Sequence, residues 1–154
     1  MAKSIILVAL LALAAQGEGE SGKPPPKPQR IRHAVVVHVD NKTTETGEAA
    51  KSVVKKLFLK DLSQWPDGSE AKAYGRDGKS DAQIAFREQV LGMSEAELAR
   101  HWLKVKSMNG TTPPKEVDSD RLVLKYVAKN SSAFGICTLD SLKGVEGVRV
   151  LFEF

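Results

Sequence analysis

Four short runs of apolar and β-branched residues divide the chain and predict strands. Residues 34–39 (AVVVHV) are almost wholly apolar, which is typical of a strand buried on both faces of a sheet. Residues 134–139 (FGICTL) and 148–154 (VRVLFEF) predict two more strands near the end of the chain. Residues 70–74 (EAKAY) alternate polar and apolar side chains, which predicts a further short strand.

Between these strands the apolar residues recur at helical spacing. Residues 46–59 carry an apolar stripe on one helical face. Ser80 and Ser94 each stand three residues before a Gln or a Glu, which is the capping-box spacing at the start of a helix. Residues 118–130 predict another helix, with a capping residue at position 118 or 119. A loop is expected over residues 75–79, before the Ser80 helix.

The two tryptophans receive different predicted roles. Trp102 falls on the apolar stripe of the second capped helix, with Leu98 and Val105, and is therefore expected to be buried in the core. Trp65 stands next to Pro66 in the segment before the short strand, where Pro and a following Asp-Gly pair favour a turn. We expect Trp65 to anchor that turn.

The predicted order of elements is β-α-β-α-α-α-β-β. Strands that alternate with helices predict an α/β layer fold with a mostly parallel sheet flanked by helices.

The start of the chain has a different character from the rest. Residues 1–17 combine an early lysine, a short apolar run and small residues, which predicts a signal peptide and a periplasmic protein. The alternative is a membrane anchor, but the apolar run is too short to cross a bilayer as a helix. Residues 18–32 are rich in proline and are predicted to form a tether. The folded domain is expected over residues 33–154, without stable membrane insertion after cleavage.

Composition excludes several classes of protein. The chain has 154 residues, 42% hydrophobic and 27% charged, which suits one globular domain. One cysteine excludes a disulfide scaffold. The net charge of +4 and the low aromatic content of 6% do not favour nucleic acid as a partner.

The segment from Gly75 to Ser80 (GRDGKS) carries candidate anion chemistry. Arg76 and Lys79 are cationic, Gly78 allows close approach of the backbone, and Ser80 begins a helix whose N–H groups favour an anion. The alternative is that Ser80 only caps the helix and Arg76 is solvated. The segment lacks the first glycine of a nucleotide-binding P-loop.

No catalytic or metal site is predicted. His33 and His38 fall on opposite faces of one strand, and His101 lies far away on a helix. Cys137 sits in an apolar strand, the usual setting of a buried and unreactive thiol. Without a nucleophile beside a base, we expect neither catalysis nor a cofactor nor a bound metal.

The order of several short motifs resembles the phosphate-type substrate-binding proteins of ABC transporters. The matching segments, from Val35 to Asp140, are AVVVHVDNK, LFLK at 57–60, WPDG at 65–68, Arg76 with Ser80, Phe86, and FGI at 134–136. The resemblance implies one lobe of a type 2 periplasmic binding protein fold. It also implies that Arg76 supplies the charge and Ser80 a hydroxyl to an oxyanion.

The chain departs from that family at two points. Asp81 and Ala82 stand where the family has Gly and Thr, so a hydroxyl is lost and a carboxylate gained. Residues 33–154 also suffice for one lobe only. We therefore expect an exported module that binds inorganic phosphate or a similar oxyanion weakly. The alternative is a structural or interaction protein that offers the open cleft to a protein partner.

Overall fold

A mixed sheet with helices on both faces organises residues 30–154, the part of the chain described by the computed structural model. The strands are β1 (His33–His38), β2 (Lys72–Arg76), β3 (Lys115–Val117), β4 (Ala133–Thr138) and β5 (Val148–Glu153). The helices are α1 (Gly47–Phe58), α2 (Asp81–Phe86), α3 (Glu95–Asn109) and α4 (Asp120–Val127). A π-helical turn (Arg87–Leu91) extends α2, and a 3-10 turn (Leu139–Leu142) follows β4. The predicted signal peptide and most of the tether lie outside the described residues.

The α/β layer prediction is confirmed, but the prediction of a mostly parallel sheet is wrong. The five strands lie in the order β3-β2-β4-β1-β5. β2 pairs in parallel with β3 and β4, whereas β1 forms longer antiparallel ladders with β4 and β5. β1 and β2 therefore run in opposite directions, and the segment between α1 and β2 explains why. It returns the chain to the end of the sheet where β4 starts, so that β2 runs in the same direction as β4. There the Ser132 carbonyl oxygen accepts a hydrogen bond from the Lys72 N–H at 3.1 Å.

β1 is buried on both faces, as its sequence predicts. Val35 and Val37 face a core cluster that contains the apolar side of α1 and α2. Ala34 and Val36 face a second cluster beneath α4. The sheet therefore separates two hydrophobic layers. No helix among residues 30–154 is long and apolar enough to cross a membrane.

α3 differs from the prediction made for it. Its capping box between Ser94 and Glu97 is present, as expected. However, none of its residues is buried, and Leu103 and Met108 are 69% and 71% exposed. α3 therefore lies at the edge of the core, and its apolar stripe only borders that core.

The two tryptophans show where the core ends. Trp65 is 3% exposed, packs edge-on against Phe134, and donates a hydrogen bond from Nε1 to the Ser132 carbonyl oxygen at 2.8 Å. It anchors its turn, as predicted. Trp102 packs against the core and meets Phe58 with ring centroids 6.4 Å apart, but it is only partly buried, so the expectation that it lies buried in the core is met only in part.

Gly135 lets α4 lie directly on β4. A Cβ atom at this position would come within 2.3 Å of the Val123 Cγ1 atom. A side chain there would push α4 outward, and the start of α4 would move with it. The glycine in the FGI segment is therefore explained by close packing of helix and strand.

We predict that the two tryptophans contribute unequally to stability. Trp65→Ala should lower the free energy of unfolding by about 3–5 kcal/mol, since it removes a fully buried aromatic ring. Trp102→Ala should cost no more than about 2 kcal/mol, because less apolar area is lost. Urea unfolding followed by circular dichroism measures both. Equal losses would contradict this assignment of the core.

We predict that Gly135→Ala destabilises the protein through overpacking, by about 1–3 kcal/mol. Gly78→Ala is the matched control, since a Cβ atom there meets nothing within 4 Å. That control should change stability by less than about 0.5 kcal/mol. Thermal unfolding of both variants checks the prediction, and a neutral Gly135→Ala would show that α4 is not held tightly on β4.

Candidate functional site

The carboxyl ends of three parallel strands meet at one edge of the sheet. β2 ends at Arg76, β3 at Val117 and β4 at Thr138. α2, α4 and the 3-10 turn each begin shortly after these ends. Ligand sites of α/β sheets form at this edge, because loops and helix N-termini converge there. Of the candidate residues from the sequence, Arg76 is the last residue of β2, and residues 78–80 lie in the segment that follows it.

The Arg76 side chain lies on the α4 face of the sheet. A Cβ atom at Gly75 would contact Gln83 and Phe58 on the other face, so alternation along β2 directs Arg76 away from α2. Arg76 donates from Nε to the Val117 carbonyl oxygen at 3.0 Å and from a terminal nitrogen to the Asp118 carbonyl oxygen at 3.1 Å. Its guanidinium therefore links the end of β2 to the segment between β3 and α4.

Asp120, the first residue of α4, forms an ion pair with Arg76 through Oδ1. The two side chains are only 11% and 16% exposed. Burial lowers the pKa of the Arg76 guanidinium, and the nearby carboxylates of Asp77 and Asp118 oppose that shift. Arginine stays protonated in proteins, so the Arg76 side chain keeps its positive charge at this position.

The second carboxylate oxygen of Asp120, Oδ2, lies within hydrogen-bond distance of three donor groups. Oδ2 accepts hydrogen bonds from the Thr138 N–H at 2.9 Å and from the Thr138 hydroxyl at 2.7 Å. The Ser141 hydroxyl lies 2.7 Å from the same oxygen and 2.7 Å from the Thr138 carbonyl oxygen, so its one proton serves either acceptor. A guanidinium, a backbone N–H and two hydroxyls thus surround one carboxylate.

Ser80 caps α2, as predicted. Its hydroxyl accepts from the Gln83 N–H at 3.2 Å and donates to the Asp77 carbonyl oxygen at 2.7 Å. Asp77 also holds the Lys79 N–H through its carboxylate at 2.7 Å. The hydroxyl proton of Ser80 is therefore used inside the loop.

The predicted capping box at Ser80 is incomplete, and the predicted loop over residues 75–79 begins later. Gly75 and Arg76 belong to β2, so the loop starts at Asp77. The Gln83 side chain does not reach back to Ser80; its Oε1 accepts from the Arg76 N–H at 2.9 Å. Gln83 is nearly buried, which suits this tie between α2 and the end of β2. The N–H groups of Asp81 and Ala82 have no partner within the helix, as for the first residues of any helix.

Gly78 and Lys79 line an open cavity of about 560 Å³ at the start of α2. Its charged side chains are two cations and three carboxylates: Lys79, Arg87, Asp77, Glu95 and Glu116. The balance is negative, which disfavours an anion that contacts Lys79 alone.

Cys137 and His101 have structural roles. Burial raises the pKa of the Cys137 thiol to about 11, so this buried thiol stays protonated at neutral pH. The His101 Nε2 atom lies 2.9 Å from the Leu59 carbonyl oxygen and ties α3 to the end of α1. Within residues 30–154, no group of three His, Cys, Asp or Glu side chains is placed to hold a metal ion.

Solved structures share this fold, although no family model and no curated protein matches the sequence. An ABC-type phosphate transport receptor from Vibrio cholerae matches with a TM-score of 0.57 and 17% identity, over 79% of this chain and 46% of the receptor. PstS from Borrelia burgdorferi matches with a TM-score of 0.55 and 12% identity, over 79% of this chain and 47% of that protein. A substrate-binding protein with bound phosphate from Clostridium perfringens matches with a TM-score of 0.52 and 15% identity, over 78% and 54%.

The chain thus spans about half the length of these structural neighbours. The resemblance drawn from the sequence motifs is confirmed at the level of the fold: a single α/β lobe of the periplasmic binding protein type. The structural matches establish the fold, whereas identities of 12–17% leave the ligand to be argued from this chain's own residues.

Sequence reasoning missed Asp120, Thr138 and Ser141. Their position is the signal that could have found them: Thr138 is the last residue of β4, and Asp120 and Ser141 come shortly after the ends of β3 and β4, the two strands that pair in parallel with β2. The strand β3 was also missed, because it has only three residues and two of them are charged.

We predict that Arg76 and Asp120 are energetically coupled. Arg76→Met alone should cost about 3 kcal/mol, because it leaves a largely buried carboxylate without its counter-ion. The double variant Arg76→Met/Asp120→Asn should cost at least about 1 kcal/mol less than the sum of the single changes. Urea unfolding of the three variants gives the coupling.

The exposed pair Lys143 and Asp140 is the matched control. Its side chains are 81% and 89% exposed, so a cycle of Lys143→Met and Asp140→Asn should show almost no coupling. Additive losses at Arg76 and Asp120 would contradict the ion pair as a stabilising contact.

Proposed function

We propose that this chain is a single-lobe solute-binding module, not an enzyme, that binds phosphate or a similar oxyanion weakly at the carboxyl edge of its sheet. Arg76 supplies the charge, and the loop from Gly78 to Ser80 supplies Lys79 and the helix start. The signal peptide, the periplasmic location and the Pro-rich tether belong to the same proposal.

The observation that carries the proposal is the position of Arg76. It ends a strand at the edge where ligand sites of α/β sheets form, beside the starts of α2 and α4. The fold around it is shared with proteins named as phosphate transport receptors, one of them solved with bound phosphate. A guanidinium is suited to an oxyanion because it donates two parallel hydrogen bonds.

Four features lower the expected affinity. Arg76 already pairs with Asp120, and the Ser80 hydroxyl proton is used by Asp77. Asp81 places a further carboxylate at the first residue of α2. A single lobe also leaves the ligand open to water on one side, since receptors of this type enclose their ligand between two lobes.

We predict a dissociation constant for phosphate on the order of millimolar, or roughly −4 kcal/mol. A titration of the full chain with phosphate, sulfate and molybdate, followed by ¹H–¹⁵N NMR, should shift the amide signals of residues 76–83. Arg76→Ala should abolish these shifts.

Asp81→Asn provides an independent check that leaves Arg76 intact. Removing one nearby carboxylate should tighten phosphate binding about fivefold, for roughly 1 kcal/mol of repulsion at a wet surface. Asp61→Asn is the matched control, a similar exposed change outside the site. Equal affinities in both variants would contradict binding at this edge. A chain that binds none of the anions would favour the alternative, an interaction or structural protein that offers the open cleft to a protein partner.

A further inference from the structure

We propose that Asp120 is the resident anion of this edge. Its carboxylate fills a cradle built from Arg76, Thr138 and Ser141, and an external oxyanion must compete with it. The inference rests on the proposed function in that both place an oxyanion beside Arg76. It adds Thr138 and Ser141 as anion-binding residues and Asp120 as their occupant.

The donors around Asp120 come from separate parts of the chain and converge on one group. Arg76 ends β2, Thr138 ends β4, and Ser141 belongs to the 3-10 turn. Oδ1 takes the ion pair, while Oδ2 has the backbone N–H at 2.9 Å and two hydroxyl oxygens at 2.7 Å. Charge-assisted bonds from a guanidinium, combined with backbone N–H and hydroxyl donors, are the means by which proteins hold free oxyanions.

The carboxylate that occupies the cradle belongs to a different element from the groups that form the cradle. Asp120 belongs to α4, whose close approach to β4 is permitted by Gly135. The cradle itself is made by the ends of β2 and β4 and the following turn. Truncation of Asp120 should therefore leave the donors in place around an empty, positively charged space.

The test uses the full chain and two variants. Asp120→Ala removes both the charge and the volume of the carboxylate, whereas Asp120→Asn removes the charge and keeps the volume. Inorganic phosphate, sulfate and acetate are the probes, with chloride at equal ionic strength as the reference. The readouts are the dissociation constant by calorimetry and the melting temperature, since an anion bound only to the folded state stabilises it.

We expect Asp120→Ala to bind phosphate at least tenfold more tightly than the parent. Its melting temperature should rise with phosphate and acetate by several degrees more than that of the parent or of Asp120→Asn. The comparison between variants removes the general stabilisation that phosphate and sulfate give to folded proteins. If Asp120→Ala is unfolded in chloride, recovery of its folded spectrum in phosphate or acetate supports the cradle.

The outcomes separate this inference from the proposed function. If the parent binds phosphate and Asp120→Ala binds no more tightly, the resident-anion proposal is wrong and the proposed function stands. If only Asp120→Ala binds, the cradle is supported and anion binding by the native chain fails. If neither binds, or if no anion restores the stability of Asp120→Ala beyond that of Asp120→Asn, Asp120 is only a structural brace and the proposal is overturned.

Discussion

β1 and β4 are neighbours in the sheet, and both of their faces are buried. Each face must therefore be covered by other elements, and this requirement sets the positions of those elements. Val35 and Val37 require a cover on one side, which α1 and α2 provide. Ala34 and Val36 require a cover on the other side, which α4 provides. Because a glycine at position 135 lets α4 lie directly on β4, the start of that helix is carried to the carboxyl edge of the sheet.

This packing determines which charged groups meet at the carboxyl edge of the sheet. Alternation along β2 turns Arg76 toward the α4 face, where its guanidinium is largely buried. A buried cation needs a counter-ion and satisfied hydrogen bonds, and two backbone carbonyls together with Asp120 provide them. The guanidinium that is proposed to bind the ligand is therefore the same group that forms these stabilising contacts within the chain.

Local signals in the sequence were enough for most elements and for their caps. The uniform apolar run of β1 and the Ser94–Glu97 capping box depend on neighbouring residues, and both are present. Strand direction was not predictable, because it depends on how far the connection between α1 and β2 carries the chain. The contacts of Asp120 could not be predicted either. Its partners Arg76 and Thr138 are distant in sequence, and the strand order of the sheet brings them together.

Under the proposed function, a free oxyanion beside Arg76 has to displace the carboxylate of Asp120, which already pairs with that arginine. Asp120 is tethered in contact with Arg76, so its effective concentration far exceeds that of any millimolar solute. A free oxyanion gains only the difference between its own contacts and those of the carboxylate it displaces. That difference depends on how firmly α4 is held, and the contact between Gly135 and Val123 fixes the helix. If the proposed anion binding is present, its affinity therefore depends on the packing between α4 and β4 as well as on the charge of Arg76.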